Sequence, residues 1–207
     1  MSPGVIARRE HPLWRAAARL ARTTFREQYG AYIDPSPDLF AILREDVHDP
    51  RDPIGLHGAV AGLTFAGTDT LVSEYYLDDS LESLLVPLIG EQLQRSEICE
   101  INSLASTSRG SGAQLLGMMP TLAWCNGAKA AIFTATGRLA GTLPRYGIDF
   151  RPLVAATEAA LPARLKGGWG TYYDKKPVVG YVDLRHVGDS LMSLSGRRSN
   201  TPVQAGV

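Results

Sequence analysis

Residues 97–124 set an apolar run, a glycine- and serine-rich turn and a second apolar run in direct succession, and no other stretch constrains the fold as strongly. The first run, 97–105, reads as a strand and the last, 112–124, as a helix. Between them lies Ser108-Arg109-Gly110-Ser111-Gly112-Ala113. A strand that enters a helix through such a turn can offer backbone N–H groups and the positive end of the helix dipole to an anion. Glu100 places a carboxylate inside the strand, close to that turn, where a base is useful.

The remaining elements follow from periodicity and breakers. Residues 13–29 predict a helix, with Trp14, Ala18, Ala21 and Phe25 at steps of three and four. Pro35 and Pro37 break the chain, and 46–53 is a polar loop punctuated by prolines. Residues 57–66 and 71–76 read as the two strands of a hairpin, and 80–93 as a helix kinked at Pro87. A strand at 130–135 precedes a short helix, 138–146, that ends at Gly147. Residues 152–161 read as a further helix and 177–184 as a last strand. Strands alternating with helices imply an α+β or α/β chain with a mixed sheet. The expected division is a flexible segment, 1–12, one domain, 13–185, and a polar, disordered tail, 186–207.

Composition narrows the function. The chain has 207 residues, 44% hydrophobic and 20% charged, with a formal net charge of +0, so no global charge draws it to nucleic acid. No secretory signal is evident at the N-terminus, and the longest apolar tract, 122–135, is interrupted by Asn126 and Lys129 and is too short to span a bilayer. Cys99 and Cys125 form no ligand spacing, nor do His11, His48, His57 and His186, so no metal is expected and a reduced, cytoplasmic protein is. Gly112 and Gly117 have the spacing of a nucleotide-binding loop, but Met118 and Met119 stand where Lys and Ser or Thr are required. No Gly-x-Ser-x-Gly nucleophile elbow is present.

Five stretches in fixed order carry a resemblance: residues 74–78 (Glu-Tyr-Tyr-Leu-Asp), 100–106 (Glu-Ile-Asn-Ser-Leu-Ala-Ser), 132–136 (Ile-Phe-Thr-Ala-Thr), 143–148 (Leu-Pro-Arg-Tyr-Gly-Ile), and 169–173 (Trp-Gly-Thr-Tyr-Tyr) with Pro177-Val178. Through them the chain resembles the thermostable hemolysin family. Asn102 and Ser103 depart from the family's usual Gly-Asn. The resemblance implies a GNAT-like α+β fold close to that of the acyl-homoserine-lactone synthases: a mixed, mostly antiparallel twisted sheet flanked by helices on both faces. It implies transfer of an acyl group from a CoA or acyl-carrier-protein thioester to a small, amino-acid-like amine, in natural-product or signal biosynthesis. The acyl donor is then a co-substrate, and no cofactor is bound permanently.

Within that reading, Glu100 is the candidate base, and its alternative is a buried structural acid. Glu74 has the same two roles open to it. Ser106, Arg109, Gly110, Ser111, Gly112 and Ala113 are candidates for the pantetheine and phosphate cradle, against a plain strand-to-helix turn. The basic residue is displaced from the usual slot of that loop, which Thr107 occupies, and this leaves a carrier-bound donor open beside CoA. Tyr172 or Tyr173 is the candidate acid for the departing thiolate, or packs a sheet edge. Asn102 and Arg145 are candidate substrate or anion contacts. Arg15, Arg19, Arg22 and Arg26 form one basic stripe on the first helix, either a solvated face or a dock for an acidic carrier protein or an anionic membrane. Two other classes remain beside the enzyme: a membrane-active, lytic protein, and a non-catalytic partner of the same fold.

Overall fold

A computed structural model describes residues 4–45, 56–67 and 69–188. Seven strands form one sheet in the order β1-β2-β3-β4-β5-β7-β6: β1 Gly4–Arg8, β2 Leu39–Arg44, β3 Gly58–Phe65, β4 Ile98–Ser106, β5 Ala130–Ala135, β6 Arg151–Ala155 and β7 Val178–Asp183. Only β4 and β5 run parallel; every other neighbour pair is antiparallel.

Helices cover both faces. On one lies α3 (Arg109–Cys125), whose Leu115, Leu116, Met119 and Ala123 pack on Cys99, Ile101, Leu63 and Phe133. On the other lie α1 (Pro12–Tyr29) and α2 (Leu81–Ile89). Small residues of α1, Ala17, Ala18 and Ala21, allow close approach to Phe40, Ile42 and Val60. Leu81, Leu85 and Ile89 of α2 meet Ile98, Ile132 and Tyr181. Between α1 and α2 this face receives the loops, and Glu100 of β4 points there, against residues 72 and 73. A four-residue helix, α4 (Gly137–Ala140), is capped by Thr136, and the following 3-10 turn stops at Gly147 in the left-handed conformation.

Several local readings need correction. Residues 4–8, expected to be flexible, form edge strand β1, paired with β2 from Gly4↔Leu43 to Arg8↔Leu39. The Val72–Tyr76 segment is a 3-10 turn, not a strand, because Glu74 folds back to accept the Leu71 amide at 2.7 Å. The helix at 80–93 ends early, at Gly90. Residues 151–155 form β6, not a helix; at the sheet edge Pro152 costs no interior ladder bond. The loop 46–53 lies outside the described residues. Of the expected tail, 186–188 are described, with Val187 packed on the α3-side core; 189–207 lie outside.

Candidate active site

The parallel ladder between β4 and β5 stops early. Ile98, Cys99 and Glu100 pair with Ala130, Ala131 and Ile132, and then β4 continues to Ser106 and β5 to Ala135 without pairing further. On its other side β4 holds one surplus residue against β3: Val60 faces Ala105 while Gly62 faces Asn102, and Ser103 adopts a φ of 53°. A bulge of this kind bends its strand and increases the local twist. Where the two parallel strands part, a cleft of about 1820 Å³ opens and reaches both faces of the sheet.

The two arms of the cleft differ in chemistry. Toward α3 it is lined by Leu116, Met119, Phe133, Ile148, Val182 and Leu184. Toward α1 and the loops it meets Glu100, Asn102, Thr134, Tyr29, Trp169 and Tyr172. Gly112, in the first turn of α3, lies against the end of β4: a Cβ there would stand 2.6 Å from Ser106 Oγ.

Glu100 is 4% exposed, and its carboxylate holds the start of the Val72–Tyr76 turn. Oε1 accepts the Ser73 amide at 2.8 Å and the Ser73 hydroxyl at 2.5 Å; Oε2 accepts the Val72 amide at 3.2 Å. Burial pushes its pKa up, the bonds from Ser73 and Val72 pull the other way, and the nearby Glu74 charge raises it again. Burial wins, because among the described residues no cation bonds to this carboxylate. A base needs that combination: a carboxylate whose proton affinity has been raised at the wall of a cavity.

Tyr172 is 8% exposed and sits in an aromatic cluster, 5.3 Å from Tyr29, 5.4 Å from Trp169 and 6.2 Å from Phe25 by ring centroids. Its hydroxyl points to the Thr134 carbonyl at 3.4 Å, and burial raises its pKa, so it stays a protonated donor. Tyr173 does not line the cleft; its hydroxyl lies 2.8 Å from that of Tyr76.

The structure therefore brings Glu100, Asn102, Ser106, Gly112, Ala113 and Tyr172 to one cleft and leaves others out. Glu74 is turned away from the cleft and bound by both outer nitrogens of Arg95 at 2.9 Å. Arg145 is exposed and outside the cleft, whereas Arg138 of α4, which sequence reasoning missed, lines it. The glycine turn is not a loop. Ser108 caps α3 through the Ser111 amide, Arg109 to Ser111 form the first helical turn, and the Arg109 side chain lies outside the described part. Ser111 is buried and Gly110 exposed, and neither lines the cleft. Arg15, Arg19, Arg22 and Arg26 are all exposed; Arg22 pairs with Asp34 at 2.6 Å and Arg26 lies 4.0 Å over the Tyr32 ring. Among the described residues, no group of three or more His, Cys, Asp or Glu side chains is placed to hold a metal ion. Nor is any helix among them long and apolar enough to cross a membrane.

A seven-stranded sheet with one parallel pair parted at its ends, and helices on both faces, is the fold of GNAT-like acyltransferases. The AHL synthase LasI is similar over 89% of this chain and 91% of its own, with a TM-score of 0.52 and 16% identity. FeeM, an N-acyl amino acid synthase from uncultured soil microbes, is similar over 88% and 95%, with 0.52 and 16%. TofI, in a ternary complex with an inhibitor and MTA, gives 0.51 and 15% over 89% and 92%. At these identities the likeness is one of fold. The sequence itself belongs to the thermostable hemolysin family, whose model matches residues 7–188. Among curated proteins none matches it.

Proposed function

We propose that this protein is an N-acyltransferase that moves an acyl group from a CoA or carrier-protein thioester to a small, amino-acid-like amine. The observation that carries the reading is the cleft between the parted ends of β4 and β5, with a buried carboxylate on one side and an apolar arm on the other. The edge of β4 from Ile101 to Ser106 that faces β5 has no strand partner, so its peptide groups are available to the amides of a pantetheine arm. The acyl chain takes the apolar arm beside Leu116, Met119 and Phe133. Ser106, Gly112 and Ala113, at the head of α3, receive the phosphate end of the donor. Arg138 adds a cation to the same cleft.

The amine enters from the Glu100 side. Its nitrogen attacks the thioester carbonyl, the C–S bond breaks, the amine proton goes to Glu100, and the thiolate takes a proton from Tyr172 or water. Tyr172 and Asn102 frame the acceptor. The exposed stripe of α1, Arg15 above all, is the surface offered to an acidic carrier protein.

The test presents the protein with acyl-CoAs from short to long chain, and with the same acyl groups on a carrier protein, together with a mixture of amino acids. N-acyl products and stoichiometric free thiol are expected. Absence of both with every donor would remove the enzymatic reading and leave the fold as a binding module.

A further inference from the structure

Besides its own place on the cleft wall, Glu100 is joined through two hydroxyls to a second point of that wall. Ser73 is fully buried, and its Oγ lies 2.5 Å from Glu100 Oε1 and 3.1 Å from Thr134 Oγ1. An ionised carboxylate only accepts, so the single hydroxyl hydrogen of Ser73 is committed to Glu100. In the second contact Ser73 must then accept, and Thr134 donates. The lone pairs of Thr134 Oγ1 are left for the cleft, which this residue lines. The hydrogen bonds thus have one direction, from the cleft through Thr134 and Ser73 to the carboxylate. Meanwhile the carboxylate oxygens are held by the amides of Val72 and Ser73.

We propose that Thr134 and Ser73 form a two-hydroxyl relay that delivers the amine proton to Glu100. The inference rests on the acyltransferase reading and gives its base a route. As the C–N bond forms, the amine proton passes to Thr134 Oγ1, the Thr134 hydrogen to Ser73 Oγ, and the Ser73 hydrogen to Glu100 Oε1. Each hydroxyl ends with one hydrogen, and the carboxylate becomes a neutral acid. The thiolate takes its proton from Tyr172 or water, and the Glu100 proton returns along the same path to the tyrosinate or hydroxide so formed, which restores the carboxylate. In this scheme Thr134 touches the substrate, while Ser73 acts through it.

The test compares Ser73→Ala and Thr134→Val with Ser73→Thr and Thr134→Ser, using whichever acyl donor and amino acid the wild type accepts. Each hydroxyl-free variant should lower kcat at saturating acceptor by about 10²-fold, with the KM for donor unchanged. The two hydroxyl-bearing variants should recover most of the rate. A Ser73→Ala/Thr134→Val double variant should be no slower than the slower single one, because one break interrupts the whole path. In mixtures of light and heavy water, the wild-type rate should curve with deuterium fraction, as expected when several protons move together, and the variants should lose that curvature. Thr134→Val, half-buried and nearly isosteric, keeps the test open should Ser73→Ala not fold. Folded variants with wild-type kcat would overturn the relay and leave the acyltransferase standing, the proton then passing to Oε2 directly. A slow Ser73→Ala beside an undiminished Thr134→Val would reduce Ser73 to a strut for Glu100 and also overturn it. A wild type that transfers nothing would overturn the acyltransferase reading, and the relay with it.

Discussion

Glu74 and Glu100 grip the same 3-10 turn from two sides, and their surroundings could hardly differ more. Glu74 accepts the Leu71 amide and is clamped by Arg95, which also reaches Glu82 at 3.3 Å. Glu100 accepts the next two amides and the Ser73 hydroxyl, and among the described residues bonds to no cation. An acid with a guanidinium on both oxygens is fixed in place by that clamp. One held only by neutral donors in a buried place retains a use for a proton. Sequence alone gives both acids apolar neighbours; the distant Arg95 is what separates them.

The sharpest way to break this comparison is Glu100→Gln. If Glu100 is the base, turnover should fall by about 10²–10⁴-fold. The substitution is not silent for the fold, because the carboxamide N–H₂ must oppose the amide of Val72 or Ser73, donor against donor. Turnover is therefore measured well below the melting temperature of the variant. A folded Glu100→Gln protein with full turnover would end the role assigned to the carboxylate.

Arg95→Ala addresses the other acid. It strips the clamp from Glu74 and Glu82 and should cost about 1–3 kcal/mol of stability, read by denaturant unfolding, while the folded fraction keeps its turnover. Lost turnover without lost stability would place the Glu74 side within the active site.

The sign of a pH dependence sharpens the contrast further. Burial raises the pKa of Glu100 in the folded chain above its unfolded value, so the native state binds this proton more tightly. Its contribution to stability is complete below the unfolded carboxylate pKa and is lost as pH rises through the folded value. Melts of wild type and Glu100→Gln at matched pH should therefore show the wild type losing ground as pH rises from about 4, the ordinary carboxylate value. A difference that runs the other way would mean that the hydrogen bonds outweigh burial.

The smallest effect belongs to exposed charge. Arg15→Gln and Arg19→Gln should each change stability by about 0–1 kcal/mol. Binding of an acidic carrier protein should weaken, more so at low salt. Unchanged binding at low salt would return this stripe to solvent.

Much of the fold was legible. Residues 13–29, 97–105, 112–124, 130–135 and 177–184 became α1, β4, α3, β5 and β7 with small shifts at their ends. Strand β2 escaped because Leu39 to Leu43 is buried on both faces and shows no alternation, and the prolines before it read only as a break. Alanines at 155–160 favoured a helix locally, but Val154 and Ala155 were captured by β7. At the site, Glu100 and Tyr172 could be singled out as residue types in apolar surroundings. Ser73 could not: a serine inside Val72-Ser73-Glu74 carries no local sign that a carboxylate 27 positions away will bond to it. The cleft was also illegible, since it depends on where one ladder stops.

That stopping point is a length mismatch kept on purpose by the chain. Counted along β4, Ile101 is next in line for Phe133, but the surplus residue at Ser103 carries the remainder of the strand off course. Considered as backbone alone, the sheet would gain by zipping shut along that seam, since each further peptide group would find a partner. The protein instead keeps an unfinished edge inside its own sheet. A guest molecule with amides at peptide-like spacing would complete it, as a missing length of strand would.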